Sequence, residues 1–107
     1  MRFYKKRHQK IKKYCKMVTF EYAVIFDNSD ALIEYVCLQN QNNIINSSLY
    51  TKNAYYQLII TSTSPARFNQ NVIYTDKAHI NEIKHKSHII CVSDAVFKIK
   101  KAFLRLK

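Results

Sequence analysis

The chain of 107 residues contains no glycine. Glycine is the residue that takes a positive φ without steric penalty and lets a backbone approach a ligand closely. Its absence excludes the phosphate-cradling P-loop, the GxGxxG dinucleotide fingerprint and the GxSxG nucleophile elbow. Any turn that needs a positive φ must use asparagine or aspartate, and Asn28, Asn40, Asn43 and Asn53 are available for that role. With 48% hydrophobic and 23% charged residues, the chain still has the composition of one folded domain. A domain of this size buries roughly 60–70% of its unfolded surface, enough for a modest core.

The net charge of +11 is concentrated at the ends. Residues 1–16 carry eight basic residues and no acid, and residues 98–107 carry five basic residues and no acid. Residues 17–97 hold all seven acids and only Lys52, Arg67, Lys77, Lys84 and Lys86, which leaves −2. Basic ends attract phosphate or anionic surfaces by a salt-sensitive term that ignores sequence. A bland alternative is a solvated leader and one polar helix face. No apolar stretch approaches the ~18 residues of a membrane span, and no uninterrupted apolar segment with a small-residue cleavage site follows the leader, so a secretory signal is not expected. Cys15, Cys37 and Cys91 form no C-x-x-C pair, which fits a reducing compartment and an expected cytoplasmic location.

The residue pattern predicts a basic leader over residues 1–16 and one domain over 17–107. Residues 18–26 read as a central strand, with Phe20, Tyr22, Val24 and Phe26 on one face. Asp27-Asn28-Ser29-Asp30 announces a helix from about residue 29 to 40, with Leu32, Tyr35 and Val36 inward and Leu38 beside them. Residues 45–50 and 55–61 form a hairpin, in which Tyr56, Leu58 and Ile60 share a face and Tyr55, Gln57 and Ile59 the other. Ser64-Pro65 predicts a helix over 65–73, carrying Phe68 and Val72, and Thr75-Asp76 a short second one with Ile80 and Ile83 inward. A short buried strand over 88–92 precedes a last helix capped by Ser93-Asp94. That helix has Ala95, Ile99, Ala102 and Phe103 as its apolar stripe and Lys98, Lys101 and Arg105 opposite. The expected fold is α+β in two layers: a four-stranded, mainly antiparallel sheet with helices on one face, in β-α-β-β-α-β-α order.

No constellation of residues points to catalysis. His85, His88 and Cys91 offer zinc-ligand types, but their spacing matches no ligand knuckle and Cys91 sits in an apolar strand. Cys37 falls within a helix and Cys91 within a strand, so neither has the exposed turn of a nucleophile. Asp27, Asp30 and Glu34 read as helix capping and solvation. The expectation is a non-enzymatic chain with no metal, no cofactor and no small-molecule ligand. Six Phe and eight Tyr beside a basic surface could stack bases, though the aromatic strands are its near-neutral part.

Four segments then resemble one family. The stretch 46–58, NSSLYTKNAYYQL, with Ser47-Ser48-Leu49-Tyr50 followed by Tyr55-Tyr56 and Leu58, resembles the hairpin of the C-terminal domain of the MecA adaptor family. Ile25-Phe26-Asp27 with Asp30-Ala31-Leu32-Ile33 is similar to that family's strand and first helix. Residues 83–90, IKHKSHII, are similar to a later segment in which Ser87 stands where the family has glycine. Asp94-Ala95-Val96 follows in the expected place. The resemblance spans about residues 18–100. It implies a domain that docks onto a ClpC-type unfoldase and regulates ClpCP proteolysis, with the unfoldase supplying the ATP chemistry. The family's substrate-capturing domain has only the basic leader in its place, so the expectation is a minimal adaptor or a truncated competitor. Around the hairpin, the expected contact residues are Tyr50, Lys52, Asn53 and Tyr55. In the segment 76–86 they are Asp76, Lys77 and Glu82. The alternative expectation is a small basic protein associated with nucleic acid or the ribosome, with weak nucleic-acid contact through the tails and no membrane partner.

Overall fold

The computed structural model describes residues 18–38, 43–67 and 71–106. The basic leader, residues 1–16, and Phe68 lie outside them. The elements are β1 (Phe20–Phe26), α1 (Ser29–Leu38), β2 (Ile44–Lys52), β3 (Tyr55–Ser62), β4 (Val72–Tyr74), α2 (Lys77–Lys86), β5 (His88–Ser93) and α3 (Val96–Leu106). The strands form one antiparallel sheet in the order β4-β1-β3-β2-β5.

Local chemistry sets the helix ends. Asn28 Oδ1 accepts the backbone N–H of Ala31 at 2.7 Å, starting α1. Asp76 caps α2 by accepting the N–H of His79 at 3.3 Å. Ser93 Oγ accepts the N–H of Ala95 at 3.1 Å just ahead of α3. Ser87 ends α2 in an extended conformation, φ −116°, while its N–H still reaches Ile83 O. A glycine is therefore not required there.

The fold is α+β, as expected, with two corrections. The first is a fifth strand. Residues 65–67 are not helical, and Val72–Tyr74 pairs with β1 through Ala23–Tyr74, Val24–Ile73 and Ile25–Val72. The Ser64 N–H that would have needed a helix cap bonds instead to Ser62 Oγ at 3.0 Å, and Ser62 Oγ donates to Asn43 O at 2.8 Å. A strand as apolar as Val24-Ile25-Phe26 needs a neighbour on each side, and β4 supplies the second.

The second correction is that helices cover both faces. One face buries Tyr22, Val24, Phe26, Leu49, Leu58 and Ile60 against Leu32, Tyr35 and Val36 of α1 and Val96, Ile99 and Phe103 of α3. Aromatic edges lock this layer, with Phe26 5.3 Å from Tyr35 and Tyr56 5.2 Å from Phe103 between ring centres. The opposite face buries Ala23, Tyr50 and Ile59 under Ile80 and Ile83 of α2. Leu38, expected beside the inward residues of α1, is 77% exposed.

Candidate docking site

β3 and β2 are interior strands of the sheet, so their connecting turn is held by pairing on both flanks. Lys52 pairs with Tyr55, leaving Asn53 and Ala54 as a two-residue turn. Both have positive φ, 51° and 70°, as a type I′ turn demands. Asn53 takes the role expected of asparagine in a glycine-free chain. Ala54 fills a position that normally takes glycine, at a cost of about 1–2 kcal/mol in left-handed strain. Thr51 Oγ1 donates to Tyr55 O at 3.1 Å and stiffens the turn. Tyr55 projects from this support 49% exposed, beside the half-buried Lys52.

The other expected contact residues divide. Tyr50 is a correction: it is buried with Ala23, Ile59, Ile80 and Ile83, so its side chain packs under α2 instead of facing a partner. Glu82 is exposed on α2 and reaches Lys86 at 3.7 Å. Asp76 and Lys77 stand at the N-terminal end of α2, where Lys77 lines an open cleft of about 450 Å³ with Thr19, Glu21, Thr61 and Ile80. The C-terminal end of α2 lies over the opposite end of β3, because Ser87 Oγ donates to Gln57 Oε1 at 2.8 Å. Ten helical residues span about 15 Å, close to the four residue steps of strand from Gln57 to Thr61. Asp76 and Lys77 are thus a helix length from Lys52, Asn53 and Tyr55. The seven positions are not one patch.

β5 continues from this C-terminal end after Ser87 alone. Among the described residues it is a sheet edge, paired only with β2. Its register places Leu49 opposite Cys91 on the α3 side, and Ser48 opposite Val92 and Tyr50 opposite Ile89 on the α2 side. α2 does not extend over this edge: Ile89 is 55% and Val92 61% exposed. α3 packs over β5 and β2 on the other face and turns Lys98, Lys101 and Arg105 to solvent. Sequence patterning missed Ile89 and Val92 as surface residues. The available signal was HIICVS itself, a six-residue strand without charge or proline.

Electrostatics are quiet within the sheet. Lys98 donates to Asp94 at 2.7 Å and holds that exposed carboxyl below the usual carboxylate range. Burial pushes the Cys91 thiol up, which fits a packing residue better than a nucleophile. Burial also raises the Tyr22 and Tyr35 phenols, which share a hydrogen bond under α1. Among the described residues, no group of three His, Cys, Asp or Glu could hold a metal ion, and no helix is long and apolar enough to cross a membrane.

No protein-family model, curated protein or solved structure matches this chain.

Proposed function

We propose that this domain is a non-catalytic docking module for an AAA+ unfoldase of the ClpC class, acting as a minimal adaptor or a competitor of a fuller one. The observation that carries the reading is the β2–β3 turn: an exposed aromatic beside a cation on a turn that joins two interior strands of the sheet. Loops fixed by a rigid scaffold are where recognition residues concentrate, and tyrosine is a preferred interface anchor. The four resembling segments also follow one another through the fold. They fall on β1 and α1, on the β2–β3 hairpin, on the end of α2 with β5, and at the start of α3.

The test is titration of the full chain against a ClpC-type unfoldase, read by ATPase rate and hexamer formation. Stimulation with assembly marks an adaptor, and binding without stimulation marks a competitor. Tyr55→Ala should weaken either by tenfold or more, the loss expected of an interface anchor. Absence of binding at micromolar concentration refutes the reading. The second reading, nucleic-acid association, draws on the solvent-facing Lys98, Lys101 and Arg105 of α3. It predicts an affinity for RNA that falls steeply with salt and is indifferent to Tyr55.

A further inference from the structure

Charge divides the described residues sharply by position in the sheet. From 18 to 67, four acids (Glu21, Asp27, Asp30, Glu34) outweigh Lys52 and Arg67. From 82 to 106, six cations (Lys84, Lys86, Lys98, Lys100, Lys101, Arg105) outnumber the acids Glu82 and Asp94; Lys86 is engaged with Glu82, Lys98 with Asp94 and Lys84 with Glu21 of β1. Those cations flank β5, in the last turn of α2 before it and along α3 packed over it. The strand between them carries no charge, and its outer backbone edge pairs with no other strand among the described residues.

Natural sheets blunt such edges with charge, proline, bulges or very short strands. The opposite edge here follows that rule, since β4 has three residues. β5 has six, and its one blunting device is the bulge at Ile90, between the pairs Leu49–Cys91 and Tyr50–Ile89. Beside the edge, Ile89 and Val92 form an apolar strip that α2 leaves open.

We infer that β5 is an acceptor edge for an acidic, extended protein segment, which adds to the sheet as a sixth strand. Backbone hydrogen bonds to β5 would supply sequence-tolerant affinity, and alternate apolar side chains would lie on Ile89 and Val92. Acidic side chains of the segment would meet Lys101 and Arg105, the exposed cations of α3 that no ion pair among the described residues engages. A second copy of this chain is a poor occupant: two-fold pairing of β5 with itself brings the same basic helices together. A nucleic acid satisfies the cations and leaves both the apolar strip and the backbone edge unused. This site is separate from the Tyr55 turn and stands whether or not the unfoldase reading does.

The probe is a fluorescein-labelled nonapeptide alternating valine with glutamate, titrated against the full chain by fluorescence anisotropy. Two controls accompany it: the same peptide with lysine for glutamate, and the acidic peptide with proline for valine. The acidic valine peptide should bind at least tenfold tighter than either. Amide exchange should slow at least tenfold in residues 88–93 on binding and stay unchanged in β4. Val92→Asp and Ile89→Asp replace exposed side chains and should each weaken binding tenfold or more, with an unchanged far-ultraviolet spectrum. Equal binding of the proline peptide would overturn the inference, because charge alone would then suffice. Protection confined to elements other than β5 would also overturn it. So would a concentration-dependent dimer whose β5 amides are already protected without peptide, or an oligo-dT that binds tighter than the acidic peptide in the same buffer.

Discussion

The two faces of the sheet are built from the same strands and are finished differently. One lies under two helices, and its core runs from Tyr22 on β1 to Leu49 on β2 and on to Ile99 and Phe103 of α3. Among the described residues, the other lies under α2 alone, and its core stops at Tyr50, short of Val92 and Ile89. A single ten-residue helix cannot roof five strands spaced about 4.8 Å apart. Surface is therefore left over on the α2 side at both edges, at Val72 of β4 and at Ile89 and Val92 of β5. Both docking surfaces proposed above take advantage of that economy, one at the turn beyond α2 and one at the strand beside it.

The largest effects should separate the faces. Leu58 is fully buried at the centre of β3 on the two-helix face. Leu58→Ala should cost about 4 kcal/mol, in the upper part of the range for such truncations, because two helices and the sheet resist collapse into the cavity. Urea denaturation would measure it as a lower midpoint with an unchanged slope. Ile83 is equally buried but sits under α2 at the margin of the smaller core. Ile83→Ala should cost about 2 kcal/mol, the lower part of the same range. Equal losses would mean that the faces are energetically equivalent and that α2 is as firmly seated as α1 and α3.

How far the sequence discloses this asymmetry can be traced strand by strand. Alternation alone assigned Tyr22, Val24, Phe26, Leu58 and Ile60 to one face correctly, because a period of two leaves no other choice once one member is buried. The continuous runs Val24-Ile25-Phe26 and Leu58-Ile59-Ile60 carry the signal of a second buried face, which the expectation of helices on one face passed over. Gln57 and Tyr55 masked it, since they make the far side of β3 read as solvated. β4 was hidden for a different reason: Ser64-Pro65 is a strong local helix signal, and a three-residue strand exists only through its pairing with β1. Of the proposed contact residues, the position of Tyr55, Lys52 and Asn53 at a two-residue turn was legible from the length of the connection. The burial of Tyr50 depends on where α2 lands, which local patterning does not encode.

Alkaline pH should break the two-helix face first. Tyr22 and Tyr35 are both held above the ordinary phenol value, chiefly by burial, so the fold favours their neutral forms. Their contribution is intact below about pH 10 and declines as the pH rises beyond it, because the unfolded phenols ionise first. The loss should exceed about 1 kcal/mol by pH 11. Tyr35→Phe should lessen the decline, as followed by chemical denaturation between pH 9 and 11.

A smaller effect belongs to the turn that both faces share. Ala54 holds φ at 70°, a strained value for a residue with a Cβ. Ala54→Gly relieves about 1–2 kcal/mol of that strain but returns about 0.4–1 kcal/mol of backbone freedom to the unfolded chain. The net expectation is a gain of about 0.5–1 kcal/mol, measured as a higher urea midpoint. A loss would show that the alanine methyl makes a contact worth more than its strain.

The smallest effect tests what fastens the single helix of the open face. Lys84 of α2 reaches Glu21 of β1 at 2.9 Å, linking residues 63 positions apart in sequence. Both side chains remain partly exposed, at 38% and 28%, so water screens the pair and it should contribute about 0.2–1 kcal/mol. A double-mutant cycle with Glu21→Gln and Lys84→Met isolates the coupling from each residue's other contacts. The coupling should shrink between 0.05 and 0.5 M salt, over which the screening length falls to about half a nanometre. A pair that is weak and salt-sensitive leaves Ile80 and Ile83 as the main anchors of α2, and the uncovered strip at β5 then follows from where those two residues sit. A coupling well above 1 kcal/mol would mean that this ion pair determines the placement of α2. Breaking it would then let the helix shift on the sheet and change the exposure of Ile89 and Val92.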